Sequence, residues 1–193
     1  MTSTVLAPPA TSPTQPLVSP NGGWPIELLW EAEPSPTGAA VRGGLLPTEL
    51  QARFGARLEI PLRLDRPTIA VNFVSTLDGV VALDRAGGSG GREISGGFEP
   101  DRFLMGLLRA TADAVLVGAG TVRASRTHAW TPSQVHPASA ASFSGWRRDL
   151  GLAPTGPTTV MVTASGELDL CHLGVGDLDP AVIVVTTTAA ARP

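Results

Sequence analysis

Lysine and tyrosine are absent from this chain, and cysteine occurs once, at Cys171. Without lysine there is no Schiff-base amine and no P-loop lysine for nucleoside triphosphates, so both kinds of chemistry are excluded. A single cysteine forms neither an internal disulfide nor a multi-cysteine zinc site, which suits a reducing compartment and makes the cytoplasm the expected location. Nothing suggests an activated thiol at Cys171. His128, His136 and His172 follow no metal-ligand spacing, so no metal is expected and all three are predicted to be surface loop residues. No basic residue precedes Arg42, as a signal peptide would require, and no apolar run reaches the roughly 18 residues of a membrane span. The chain is expected to be soluble, with no membrane partner.

What is present is arginine, 14 residues scattered from Arg42 to Arg192 in a chain of net charge −3. They form no basic stripe, so no nucleic-acid partner is expected and a small neutral or anionic ligand suits the chain better. At 193 residues, one domain with a tail is the natural division. Residues 1–23, rich in Pro, Ser and Thr, bury too little apolar surface to offset their ordering entropy and are predicted to be a disordered tail. Residues 24–65 read as an extension with two short helices, WPIELLWE and LPTELQARFGARL, the second with Thr48 as its N-cap. Residues 66–193 read as an α/β domain.

Within that domain, TIAVNFV (68–74) has the apolar, β-branched character of a strand covered on both faces. Asp78-Gly79 marks a turn, and the glycine-rich AGGSGGREISGG (86–97) a mobile loop unless a ligand orders it. Pro100 and the spacing of Phe103, Leu104, Leu107 and Leu108 predict a helix to about Ala112. A short buried strand follows at 114–117, giving strand, helix, strand and hence a parallel crossover. Residues 124–156 read as a long polar loop around a helical piece near SGWRRDLG, and TTVMVT (158–163) and AVIVVTTT (181–188) as two more strands.

The stretch AVLVGAGTVR (114–123) carries the strongest local signal. Gly118-Ala119-Gly120-Thr121 resembles a dinucleotide-binding turn but has Arg123 where a third glycine belongs, so as a Rossmann fingerprint it fails. Physically, its two glycines allow close approach of a ligand, and its amides open a helix whose N-terminus favours an anion; a tight strand-to-helix turn is the competing reading. Arg109 stands in the last turn of its helix, either solvated and favoured by the macrodipole or holding a substrate phosphate. Asp78 reads as a turn residue.

In order and spacing, RPTIAVNFVSTLDGVVAL, the ISGG segment, DRFLMGLLRATADAVLVGAGTVRAS and the two later strands together resemble the pyrimidine reductase domain of riboflavin biosynthesis, across about residues 66–188. The resemblance implies a dihydrofolate reductase-like α/β fold, a mostly parallel sheet flanked by helices. It also implies NADPH-dependent reduction of 5-amino-6-(5-phosphoribosylamino)uracil to its ribitylamino product, in a homodimer. Carried over by position, Val74, Gly118, Gly120, Thr121 and Ser125 would face the cofactor, and Arg109 and Ser89 the substrate. No catalytic acid or base is singled out.

The chain departs from the family pattern at Val80, where Lys is common, at Glu93, where Trp is common, and at Ser125, where many members carry Asp. After Val185 nothing resembles the family's glycine-rich turn preceded by Glu. On the sequence alone the C-terminal part of the fold is therefore expected to be missing. An inactive or regulatory nucleotide-binding remnant, or a related reductase with another substrate, stands as the alternative.

Overall fold

The computed structural model describes residues 41–54, 58–63, 65–81, 83, 91–124, 130–168 and 181–191. The tail 1–23, the helix expected at WPIELLWE, and Ser89, Ser125, His128, Cys171 and His172 lie outside the described residues.

The first described element is a strand, β1 (Val41–Leu45), paired antiparallel with β2 (Glu59–Arg63), so that Val41 faces Arg63 and Leu45 faces Glu59. Neither strand is apparent in the sequence, because Gly43, Gly44 and Pro61 are poor strand formers. Among the described residues each strand of this ribbon is an edge, where Pro61 is tolerated. Between them runs the expected helix, α1 (Thr48–Phe54). Thr48 is its first helical residue rather than its cap, and the Gln51 amide donates to the Pro47 carbonyl at 2.9 Å.

The segment expected as a buried strand at 68–74 is not one. Residues 67–76 pair with no strand, and Ile69, Val71 and Phe73 are 85%, 79% and 71% exposed. Apolar, β-branched composition favours extended backbone, but a strand also needs a neighbouring edge to bond to, and none lies beside it among the described residues. The turn after it is as expected, with Gly79 at φ +87° and the Gly79 amide donating to the Thr76 carbonyl at 3.0 Å. The last part of the glycine-rich stretch is also more ordered than expected, forming one helical turn, α2 (Gly91–Ser95), closed by Gly96 and Gly97 at positive φ.

The long helix α3 (Glu99–Thr111) carries Pro100 in its first turn and buries Phe103, Leu107 and Ala110. It leads into β3 (Ala114–Gly118), which runs directly into α4 (Ala119–Ala124). Much of the region read as loop is helical: α5 (Pro132–Val135), a 3-10 turn at Pro137–Ser139 and α6 (Ala140–Asp149). Local chemistry starts α5, since the Thr131 hydroxyl accepts from the Gln134 amide at 3.3 Å and Pro132 occupies the first turn. Tertiary packing then holds α6, whose Phe143 and Trp146 are buried against α3.

Strands β4 (Thr158–Val162) and β5 (Val182–Val185) complete a parallel sheet of order β3-β4-β5. Among the described residues the fold is thus mixed α/β, with a three-stranded parallel sheet flanked by helices. Among the described residues, two apolar clusters hold it. Leu46, Leu50, Phe103, Leu107, Ala110, Phe143, Trp146 and Leu150 form one, between the N-terminal ribbon and the helices. Val117, Val122 and Met161 form the other, with Val115, Trp130, Leu168 and Val182 packed against it, covering one face of the sheet. The opposite face presents Leu116, Ile183 and Val185, all exposed.

Arg147 ties α6 to α3. Only 2% exposed, it donates through Nε to the Ala153 carbonyl at 2.6 Å. Its Nη1 reaches the carbonyls of Arg109, Ala110 and Ala112 at 3.2, 3.1 and 2.8 Å. The end of α3 leaves carbonyls without intrahelical donors, and a cation there also meets the negative end of the helix dipole. Burial lowers the Arg147 pKa from its ordinary value, with nearby Asp113 opposing the shift.

Candidate cofactor and anion site

The junction of β3 and α4 is the turn singled out in the sequence. Gly118 ends the strand, Gly120 is the second residue of the helix, and Thr121 follows with its side chain exposed. Neither glycine has a positive φ, and a Cβ built on either would meet no described atom within 4 Å. So neither backbone geometry nor packing among the described residues calls for glycine here. Glycine in a helix costs about 1 kcal/mol relative to alanine. The junction carries that cost while leaving open space above an exposed backbone, an arrangement that suits a ligand lying against the main chain. Thr121 adds an exposed hydroxyl beside this surface.

Arg109 lies on α3 and is not fully solvated, and among the described residues it is paired with no carboxylate. Its guanidinium stands 5.4 Å above the Trp130 ring, and Nη2 donates to the Met105 sulfur at 3.3 Å. Desolvation by burial lowers its pKa from the ordinary arginine value. The guanidinium nonetheless remains charged across the working pH range. A half-buried cation without a carboxylate, among the described residues, has donors available for an anionic ligand. Trp130 also packs on the Val117, Val122 and Met161 cluster that supports the β3–α4 junction. The same indole therefore adjoins Arg109 and the foundation of the Gly118–Thr121 turn.

Val74 belongs to a different neighbourhood. It is half-buried, and a Cβ on Gly91 would lie 3.9 Å from its Cγ1, so it adjoins the start of α2. The sequence-predicted residues thus fall into two groups: Val74 beside the glycine-rich segment, and Arg109 linked through Trp130 to the turn. Sequence reasoning missed Trp130, which follows a polar stretch and has no periodicity to mark it.

His136 corrects an expectation. Predicted to be a surface loop residue, it is 4% exposed, with Nε2 2.6 Å from Glu99 Oε1 and its ring edge-on to Phe103 at 5.5 Å between centroids. Arg53 approaches the same carboxylate at 3.5 Å. This group joins α5, α3 and α1 and is structural.

An open groove of about 620 Å³ runs beside α5 and α6, lined by Thr131, Ser133, Gln134, Ser144 and Thr155. It holds none of the sequence-predicted site residues, and the Arg147 guanidinium in its wall is already committed to main-chain carbonyls. Among the described residues, no three His, Cys, Asp or Glu side chains converge as a metal site would need, and no helix is long and apolar enough to cross a membrane.

In comparisons with known proteins, no curated protein and no solved structure matches the chain. The sequence model of one family, the RibD C-terminal domain, matches residues 67–193, a span that takes in α3, the β3–α4 turn, Arg109 and all three strands of the parallel sheet. The chain belongs to the RibD C-terminal domain family, the pyrimidine reductase domain of riboflavin biosynthesis.

Proposed function

We propose that the chain binds NADPH against the β3–α4 turn and reduces 5-amino-6-(5-phosphoribosylamino)uracil to its ribitylamino product. The observation that carries this reading is the pair Gly118 and Gly120, which neither a positive φ nor any described neighbour requires to be glycine and which stand exposed beside Thr121. NADPH, when bound, supplies a hydride for C1′ of the ribosyl group. The protein's own work is placement and water exclusion. The Gly118–Thr121 backbone lies along the dinucleotide, the Thr121 hydroxyl hydrogen-bonds to it, and Arg109 holds the substrate phosphate through charge-assisted hydrogen bonds. Val74 contributes an apolar wall for the cofactor near Gly91. The reading also takes the protein to be a homodimer, as the family resemblance implies; sedimentation as a monomer at micromolar concentration would remove that part of it.

The test is NADPH oxidation followed at 340 nm with the uracil phosphate as acceptor. The reading expects saturable turnover that needs both ligands. Saturable NADPH binding without turnover would identify a nucleotide-binding module instead, and turnover only with a different acceptor would overturn the substrate assignment.

A further inference from the structure

Arg109 is unusual in how it is held. An arginine stripped of much of its water normally gains a carboxylate in exchange, because an uncompensated buried charge is costly. Here, among the described residues, its partners are a thioether sulfur and an aromatic face. Guanidinium has five N–H donors, and neither partner carries a formal charge. The 5.4 Å separation from the Trp130 centroid falls within the range of cation–π attraction. Such a contact fixes the position of the guanidinium plane without neutralising its charge. A carboxylate in the same place would compete with an incoming anion, whereas an indole leaves the donors free for it.

The indole is itself fixed. Trp130 packs against the cluster of Val117, Val122 and Met161, whose first two members belong to the elements that meet at the Gly118–Thr121 turn. We propose that Trp130 is the positioning residue for Arg109, holding its guanidinium toward the ligand phosphate and in register with the β3–α4 turn. The role rests on the reading that Arg109 binds the phosphate of the substrate. It extends that reading to a residue outside the turn and the helix, and it makes the aromatic face, rather than bulk alone, the feature that matters.

The test uses the full chain labelled with 5-fluorotryptophan, with ribose 5-phosphate as probe, unphosphorylated ribose as control, and thermal melts to establish folding. The fluorine resonance lost in Trp130→Phe identifies Trp130, and in the wild type it moves with ribose 5-phosphate but not with ribose. Affinity for ribose 5-phosphate falls about 3- to 30-fold in Trp130→Leu and stays within about 2-fold of wild type in Trp130→Phe, the span expected for a cation–π contact. In turnover, Trp130→Leu raises KM for the phosphorylated substrate and leaves kcat within about 2-fold, which marks loss of binding rather than of the chemical step.

Equal weakening in the Phe and Leu variants would overturn the proposal in favour of simple packing. Wild-type affinity in Trp130→Leu, with Arg109→Gln weakened, would overturn the proposal and leave Arg109 as the phosphate ligand. No loss in Arg109→Gln, or no binding by the wild type at millimolar ribose 5-phosphate, would overturn the phosphate reading and the proposal with it.

Discussion

A methyl group added at Gly106 in α3 would sit 2.7 Å from Phe143 Cε2, whereas one added at Gly120 in α4 would meet no described atom within 4 Å. The first glycine is there so that α6 can approach; the second has no such duty. Alanine should therefore act oppositely at the two positions. Gly106→Ala gains about 1 kcal/mol of helix propensity but loses about 1–3 kcal/mol to overpacking, and should lower the denaturation midpoint. Gly120→Ala should raise it, with a gain of about 0.4–1 kcal/mol in unfolding free energy from urea titrations, because no described atom resists the added carbon. Equal effects at both sites would contradict the open space described at the turn. The turn was legible in the sequence because glycines at the end of an apolar run are a local signal. His136 was not, because its partner Glu99 and its aromatic neighbours come from elsewhere in the chain.

Helix α3 ends on a buried arginine rather than in solvent, and this contact decides how the helical elements hold together. Arg147 Nη1 donates to the carbonyls of Arg109, Ala110 and Ala112 at the end of α3, and among the described residues only that of Arg109 also accepts a main-chain N–H, from Ala112, so removing the guanidinium takes the donor from the Ala110 and Ala112 carbonyls. Arg147→Met, similar in bulk, should lower stability by about 2–4 kcal/mol in a chemical denaturation experiment. Arg147→Lys should recover only part of the loss, since an ammonium lacks the fork geometry. A neutral outcome for Arg147→Met would mean that the α3 terminus is satisfied some other way. At this scale the sequence indicated α1, α3, β3, β4 and β5, whose apolar spacing is strong within each segment. It did not indicate the β1–β2 ribbon, where Gly and Pro mask the pairing, and it misread 68–74, where strand-like composition has no edge to join. The helices of 132–149 were understated because they depend on a cap at Thr131 and on burial of Phe143 and Trp146, neither of which periodicity reveals.

Across the whole molecule, the parallel sheet is covered on the side of Val117 and Met161 and bare on the side of Leu116, which is 72% exposed. Parallel sheets are usually buried on both faces. The asymmetry predicts that Leu116→Ser changes stability by no more than about 0.5 kcal/mol, while Met161→Ala, on the covered face, costs about 2–5 kcal/mol. A large loss from Leu116→Ser in the isolated chain would show that this face is covered after all. The functional account rests on the other end of β3, where strand meets helix at Gly118–Thr121. Isothermal titration of NADPH into the wild-type chain and into Gly120→Ala, side by side, tests it most directly. The account predicts saturable binding by the wild type and at least about 10-fold weaker binding by the variant, a loss of about 1.4 kcal/mol, although the variant is the more stable protein. Undiminished affinity in Gly120→Ala, or no heat of binding in the wild type at millimolar NADPH, would contradict it.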